Sequence, residues 1–148
     1  MNNSSLFDDK TFYAAFLKDL NTAKSEIIIE SPFITKERTE GLIPVINRLL
    51  ARNVKIYIFT RDPKEHDQFL ETQSEDMITE FERIGIQVFL CLGNHHRKLA
   101  IIDRNILWEG SLNILSQYKS REIMRRIDDG NLALEMFNFL KFWRFISL

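Results

Sequence analysis

The sequence predicts an α/β fold in which a mixed β-sheet carries helices on both faces. Short runs rich in isoleucine and valine alternate with longer segments whose apolar residues recur at helical spacing. Two short apolar segments then follow within residues 95–113, joined by a polar turn that is typical of a β-hairpin. At 148 residues and 45% hydrophobic composition, we expect residues 1–148 to form a single domain around a substantial core.

The first half of the chain contains two predicted helices and two predicted strands. Residues 6–23 have apolar side chains at helical spacing and predict a first helix. Residues 26–33 form a β-branched run that proline stops, as expected of a strand buried on both faces. Residues 39–52 predict an amphipathic helix with Pro44 in about its first turn, and residues 54–60 predict a strand by propensity.

The next segment is predicted to be a polar loop over residues 61–74. His66 lies in this loop without a partner in the sequence, so we expect it to be solvated. Ser74, followed by two acidic residues, predicts the cap of a third helix, which Gly85 ends. Residues 86–92 predict another strand, which leads into the hairpin.

The chain after the hairpin is expected to contain a loop, a short strand and a final helix. The loop covers residues 116–121, the strand covers residues 122–127, and the helix starts at about Leu132. Aromatic residues surround most of the circumference of this helix. Such a helix is usually buried, either in the core of its own subunit or against another chain.

Composition narrows the possible functions. The single cysteine, Cys91, excludes an internal disulfide and a cysteine-based zinc site, and it suits a reducing compartment. The first residues lack the basic and apolar segments of a signal peptide, and no apolar stretch approaches the roughly twenty residues that span a bilayer. We therefore expect a cytoplasmic protein without stable membrane association.

Charge is distributed unevenly along the chain, although the net charge is only −1. Residues 54–94 contain four Lys and Arg residues against eight Asp and Glu, whereas residues 95–127 contain seven against three. The positive surplus therefore lies on the hairpin and the segment that follows it. A polyanion would bind there, although such a surplus also occurs on ordinary solvated surfaces.

The hairpin holds the side chains needed to break a phosphodiester. Side chains alternate along a strand, so His96 and Lys98 share one face, and Ser111 and Asn113 share a face of the returning segment. An imidazole can attack phosphorus or transfer a proton near neutral pH, and ammonium and amide groups can donate to phosphoryl oxygens. The residues near the hairpin include no cluster at metal-ligand spacing, so we expect neither a metal nor another cofactor.

The spacing of these residues is HxK, four residues, Asp, six residues, then GSxN. It resembles the signature of the phospholipase D superfamily at every defined position, and only His96 fits the register because His95 has Arg97 two residues later. The resemblance implies a nucleophilic histidine that forms a covalent phosphohistidine. It also implies phosphate-binding and structural residues at the remaining positions: Lys98, Ser111 and Asn113 for phosphate, and Asp103 and Gly110 for structure.

The resemblance extends beyond the motif itself. Glu122 matches a family carboxylate that orients the nucleophilic ring, although a surface glutamate on a strand would look the same. The segment REIMRRI is similar to the stretch that follows the motif in phospholipase D-like domains appended to some bacterial helicases, which favours DNA over RNA. The expected nucleic-acid contacts are the cations of this region: Arg97, Arg104, Lys119, Arg121, Arg125 and Arg126.

Family members with two motifs use one histidine to attack and the other to protonate the leaving oxygen. This chain contains the motif once, so we expect a homodimer with the active site at the interface, and the aromatic final helix is a candidate for part of the contact. The favoured function is therefore a metal-independent phosphodiesterase that acts on nucleic acid, and two alternatives to it remain. A lipid phosphodiesterase would need an apolar entry to the site, and a nucleic-acid-binding accessory domain would not need the intact His, Lys, Ser and Asn.

Overall fold

The computed structural model describes residues 3–116 and 120–146. Its strands are β1 Ser4–Asp8, β2 Glu26–Glu30, β3 Lys55–Arg61, β4 Gln87–Cys91, β5 Leu99–Ile102, β6 Ile106–Gly110 and β7 Ile123–Asp128. The α-helices are α1 Phe12–Thr22, α2 Lys36–Ala51, α3 Gln68–Ile84 and α4 Gly130–Phe139. Two short 3₁₀ turns complete the described elements, at Pro63–Glu65 and Phe142–Arg144.

The described strands form one mixed sheet in the order β1-β7-β6-β5-β2-β3-β4. Strands β2, β3 and β4 are parallel, whereas β5 pairs antiparallel with β2 and the remaining pairs are antiparallel. One hydrophobic core lies between the sheet and helices α1, α2 and α3, and a second lies under α4 and the chain that follows it. The predicted mixed sheet with helices on both faces is confirmed.

Strand β2 lies near the middle of the sheet and is buried on both faces, as its apolar sequence predicted. Ile27 and Ile29 pack into the core under α1 to α3, and Ile28 packs into the core under α4. An all-apolar run suits this position because neither face of the strand meets water.

The predicted helix over residues 6–23 is wrong in its first part. Residues Ser4–Asp8 form the edge strand β1, which pairs antiparallel with β7. The Asp8 side chain accepts hydrogen bonds from the backbone N–H groups of Lys10 and Thr11 and turns the chain into α1. Pairing with a distant strand overrides the local apolar spacing, and no short-range pattern reports it.

The region predicted as a loop over residues 61–74 is also largely helical. Asp67, and not Ser74, caps α3 by accepting a hydrogen bond from the backbone N–H of Leu70, and Ser74 is buried within the helix. His66 is half-buried and stacks on an aromatic ring, so its expected solvation is wrong. Helix α2 begins earlier than predicted, which places Pro44 inside it and not in its first turn.

The final aromatic segment is not one long helix. Helix α4 is capped at Asp129 and ends at Phe139, after which Lys141 takes the left-handed conformation with φ of 57°. Phe137 and Phe142 are buried in the subunit's own core, whereas Phe139 is 78% exposed. In the part of the chain that the structure describes, no helix has both the length and the apolar character to cross a membrane.

Candidate active site

The β5–β6 hairpin brings the two halves of the motif to one end of the sheet. Its turn contains Asp103 and Arg104, both at positive φ, which matches the twist of antiparallel strands. Because the strands are antiparallel, the residues before β5 lie beside those after β6. The backbone N–H of Gly110 donates to the carbonyl of Lys98 over 3.3 Å, so the two halves meet there.

Gly110 is required by the close approach of β7. A Cβ atom at this position would lie 2.1 Å from the carbonyl oxygen of Ile123, which no side chain can tolerate. The next residue, Ser111, makes two hydrogen bonds with Ile123 of β7. Its backbone N–H donates to the carbonyl of Ile123, and its hydroxyl accepts from the backbone N–H of Ile123 over 3.0 Å. The hydroxyl of Ser111 therefore links β6 to β7 at the edge of the site.

His96 and Lys98 lie just before β5, at this same end. The side chain of His96 is exposed, and its ring centroid is 6.4 Å from that of Phe33, on the loop after β2. The ammonium group of Lys98 donates to the backbone carbonyl of His96 over 2.9 Å. An exposed imidazole with an ammonium group held beside its own backbone is suited to receive an anionic phosphodiester.

Asn113 and Glu122 follow the motif strands. The side-chain oxygen of Asn113 is buried, and no described residue donates a hydrogen bond to it. A buried amide oxygen without a protein donor can accept a hydrogen bond from water or from a ligand. The carboxylate of Glu122 accepts a hydrogen bond from the hydroxyl of Ser120 over 2.7 Å, and its proposed action on the ring of His96 stays a prediction.

Asp103 lies at the opposite end of the hairpin. Its carboxylate accepts hydrogen bonds from the backbone N–H groups of Lys24, Ser25 and Glu26 and from the hydroxyl of Ser25. Partial burial acts to raise the pKa of Asp103, but these hydrogen bonds outweigh it and hold the pKa below its ordinary value. The carboxylate thus ties the hairpin to the start of β2, away from the exposed histidine.

The predicted nucleic-acid contacts are divided between two regions. Arg97, Arg121 and Arg125 border a groove of about 810 Å³ that reaches Lys98 and Ser111. Arg104 lies at the hairpin turn, where its guanidinium group donates two hydrogen bonds to the carboxylate of Glu26. Arg126 points to the other face of β7, where its guanidinium group donates two hydrogen bonds to the carboxylate of Asp19. Lys119 lies outside the described residues.

A family model described as "Cardiolipin synthase, PLD-like domain" matches residues 16–143. The chain belongs to the phospholipase D superfamily. The comparison with curated proteins found no match to the chain. The phospholipase D family member Nuc from Salmonella typhimurium has a similar structure, with a TM-score of 0.71 at 19% identity over 95% of this chain and 92% of that one.

Two further structures share the fold of this phospholipase D-like domain. NucT from Helicobacter pylori gives a TM-score of 0.68 at 19% identity, over 93% of this chain and 92% of that one. The phosphatidylserine synthase of Haemophilus influenzae Rd KW20 gives 0.74 at 17% identity, over 94% of this chain but 36% of that one. The domain therefore has the phosphodiesterase fold of its superfamily.

The groove of this phospholipase D-like domain is apolar as well as cationic. Its floor and far wall come from β1, β7 and α4, and three of the side chains there are largely exposed: Leu6 at 61%, Ile123 at 62% and Phe139 at 78%. Glu109 also borders the groove. Exposed apolar side chains beside a site mark a surface that contacts a ligand or another chain.

Sequence reasoning missed a buried ionic cluster behind the motif of the domain. Glu30, at the end of β2, is completely buried, and its carboxylate oxygen lies 3.0 Å from the guanidinium group of Arg97 and 3.2 Å from Nε2 of His95. Both neighbours of His96 in the chain therefore contact one carboxylate. The available signal was a glutamate at the end of a strand expected to be buried on both faces, because a buried carboxylate needs a partner.

The same carboxylate affects the chain's one cysteine. Burial raises the pKa of Cys91 to about 11, and the nearby charge of Glu30 acts in the same direction. A thiol with such a pKa remains protonated near neutral pH, so Cys91 is a poor nucleophile in this domain. No group of three or more His, Cys, Asp or Glu side chains lies together for a metal ion within residues 3–116 and 120–146.

Proposed function

We propose that this domain is a metal-independent phosphodiesterase that cleaves DNA through a covalent phosphohistidine on His96. The observation that carries the proposal is the junction of the two motif halves at one end of the sheet. There the backbone N–H of Gly110 donates to the carbonyl of Lys98, and Lys98 and Ser111 border a groove that arginines also border. This junction supports the proposal, because phosphodiester cleavage requires a nucleophile and phosphate donors close to a surface that binds the polyanion.

The proposed reaction has two steps. A neutral imidazole nitrogen of His96 attacks phosphorus, the bond to the leaving oxygen breaks, and a second, protonated imidazole gives that oxygen its proton. Water then attacks the phosphohistidine, the second imidazole takes the water's proton, and the P–N bond breaks to free His96. Lys98 and Asn113 would donate to the phosphoryl oxygens while negative charge builds up in each step.

The second imidazole is proposed to be His96 of the partner subunit in a homodimer. In the described part of the chain, the exposed large apolar side chains lie mostly on the side of the sheet that carries α4: Leu6, Ile123, Leu132, Leu134, Phe139, Trp143 and Phe145. A two-fold contact over this side would cover apolar surface and leave the arginines of both subunits around a shared cleft. Arginines that face each other repel unless an anion lies between them, which suits a nucleic-acid substrate.

The test is to compare the turnover of DNA, RNA and phospholipid vesicles by the whole chain in EDTA. We expect cleavage of DNA. When a reaction with end-labelled DNA is quenched without acid, we expect label to remain on the protein as the covalent phosphohistidine intermediate. His96→Ala should lose the trapped label. His95→Asn should keep the trapped label, because the ring of His95 contacts the buried Glu30 and has no part in the proposed reaction. Label retained by the alanine variant would exclude His96 as the nucleophile.

A lipid phosphodiesterase is the second candidate, because the groove supplies the apolar entry that a lipid would need. Leu6, Ile123 and Phe139 offer exposed apolar surface within reach of Lys98 and Ser111. The likenesses to a cardiolipin synthase family model and to a phosphatidylserine synthase agree with this candidate. Turnover of anionic phospholipid in the absence of DNA cleavage would favour it over the nuclease.

A further inference from the structure

Phe33 is the described side chain whose ring contacts the ring of His96. Their ring centroids are 6.4 Å apart with the planes tilted by 55°, within the range at which aromatic rings attract each other. His96 is otherwise exposed at the end of the sheet, so this contact limits where its ring can point. A nucleophile must approach phosphorus in line with the leaving oxygen, and a displacement of about 1 Å can cost a hundredfold in rate.

The loop that carries Phe33 is tied to the motif. The hydroxyl of Ser31, which is fully buried, donates to the carbonyl of Phe33 and accepts from the backbone N–H of Leu115. The backbone N–H of Thr35 then donates to the carbonyl of Leu115 over 2.9 Å. Since Leu115 lies two residues after Asn113, these hydrogen bonds fix the position of the Phe33 loop relative to the end of the motif that is proposed to bind phosphate.

His66 also contacts the ring of Phe33. Its imidazole stacks on Phe33 with centroids 5.0 Å apart and planes 26° from parallel. Burial lowers the pKa of His66, as does the charge of Arg61, whereas a hydrogen bond to the carbonyl of Pro32 and the carboxylates of Asp67 and Glu65 act in the opposite direction. The net effect keeps the ring neutral at physiological pH, which suits a stacking role and does not suit a proton donor.

We propose that Phe33 and His66 form a positioning pair that sets the orientation of the His96 ring for attack on phosphorus. This inference rests on the proposed function, in which His96 is the nucleophile. His66 acts through Phe33, because its ring stacks on the phenyl ring that contacts His96. In this role the pair acts on the ring of His96 and does not bind the substrate, so it should influence the rate of attack more than substrate affinity.

Steady-state kinetics on a small chromogenic phosphodiester test the proposal in the whole chain. Phe33→Leu and His66→Ala should lower kcat about three- to tenfold with KM changed by less than about twofold. His66→Phe should restore kcat, since it keeps a stacked ring and removes the imidazole. Phe69→Leu is the matched control, because Phe69 is 76% exposed on α3 and should leave both constants unchanged.

Three kinetic results would overturn the proposal. A His66→Phe variant as slow as His66→Ala would mean that the imidazole is itself needed, and a Phe33→Leu variant with unchanged kcat would mean that the ring does not orient His96. A Phe33→Leu/His66→Ala double variant that is slower than the wild type by the product of the two single effects would show that the two residues act independently.

A spectroscopic readout separates this inference from the proposed function. The chain has three histidines, so the Cε1–Hε1 signal of each can be assigned by single substitutions in ¹³C-histidine-labelled protein. We expect the His96 signal to shift in Phe33→Leu and in His66→Ala, and to stay in place in His66→Phe and Phe69→Leu. A protein that cleaves no phosphodiester but shows these shifts would contradict the nuclease proposal and still support the pair, whereas an unmoved His96 signal would contradict the pair alone.

Discussion

Arg125 and Arg126 are adjacent in the chain, but their guanidinium groups lie on opposite faces of the sheet. Arg125 borders the groove and donates to the hydroxyl of Ser4 over 2.8 Å. Arg126 donates twice to the carboxylate of Asp19, which also accepts from the indole N–H of the buried Trp108. Consecutive residues of a strand point to opposite faces, so one arginine can meet a ligand while its neighbour supports the core.

This difference predicts opposite behaviour for two alanine variants. Arg125→Ala should reduce the slope of log DNA affinity against log salt by about 0.7–0.9 unit, the value of one phosphate contact, with little effect on stability. Arg126→Ala should leave the slope unchanged and lower the free energy of unfolding by about 2 kcal/mol or more, because it leaves Asp19 short of its ionic partner. Salt titrations by fluorescence anisotropy and urea unfolding measure the two effects. An altered slope in the second variant alone would place DNA on the other face.

Cleavage is expected to survive chelation. In the proposed mechanism His96 is the nucleophile, and Lys98 and Asn113 donate hydrogen bonds to the phosphoryl oxygens. These side chains perform the two tasks that a divalent ion often performs, which are to generate the nucleophile and to stabilise the charge on the phosphoryl oxygens. Initial rates in EDTA should equal those in buffer within about twofold. Loss of turnover in EDTA that Mg²⁺ or Zn²⁺ restores would contradict the mechanism.

The proposal of an active site shared between two subunits makes a prediction about mixed dimers. One His96 must be neutral to attack while the other is charged to protonate the leaving oxygen, so a dimer with one imidazole should be inactive. Equal amounts of wild type and His96→Ala, exchanged to equilibrium, leave about a quarter of dimers intact, and activity should be about half that of the same wild-type chains alone. Native mass spectrometry would verify the heterodimers. Activity proportional to the wild-type concentration would mean that each subunit works alone.

Asp103 should stabilise the fold in a pH-dependent way. Its pKa is lowered in the folded protein, so its contribution is complete above the unfolded value of about 3.8 and is lost as pH falls through the folded pKa. Asp103→Asn tolerates the positive φ but loses charge-assisted hydrogen bonds, and should cost about 1 kcal/mol near pH 7, allowing for solvent exposure.

The comparison variant for this position is Asp103→Ala, which loses every side-chain acceptor and also places a Cβ at φ of 54°. It should cost about 1–2 kcal/mol more than the asparagine variant, the penalty of a left-handed backbone for an ordinary side chain. Thermal unfolding between pH 7 and pH 3 provides the measurement. A wild-type advantage over asparagine that does not shrink between pH 5 and pH 3 would show that the carboxylate charge is not its source.

The sequence by itself determined the mixed α/β architecture and the arrangement of the hairpin. Apolar runs of strand length and helical repeats are local patterns, and each reports the burial of its own segment. The spacing of His96 and Asn113 about a turn at Asp103 was sufficient to predict that the two halves of the motif meet, because antiparallel strands joined by a tight turn must return beside each other.

Only the tertiary structure decided which side chains surround that motif. Strand β1 exists because β7 offers it a partner more than a hundred residues away, and the buried Glu30 meets His95 and Arg97 because β2 lies next to β5. His66 contacts Phe33 for the same kind of reason, since β3 runs beside β2 and delivers the loop after it to the same end of the sheet. The order of the strands depends on how well the whole core is buried. It therefore cannot be predicted from the residues that are adjacent in the sequence.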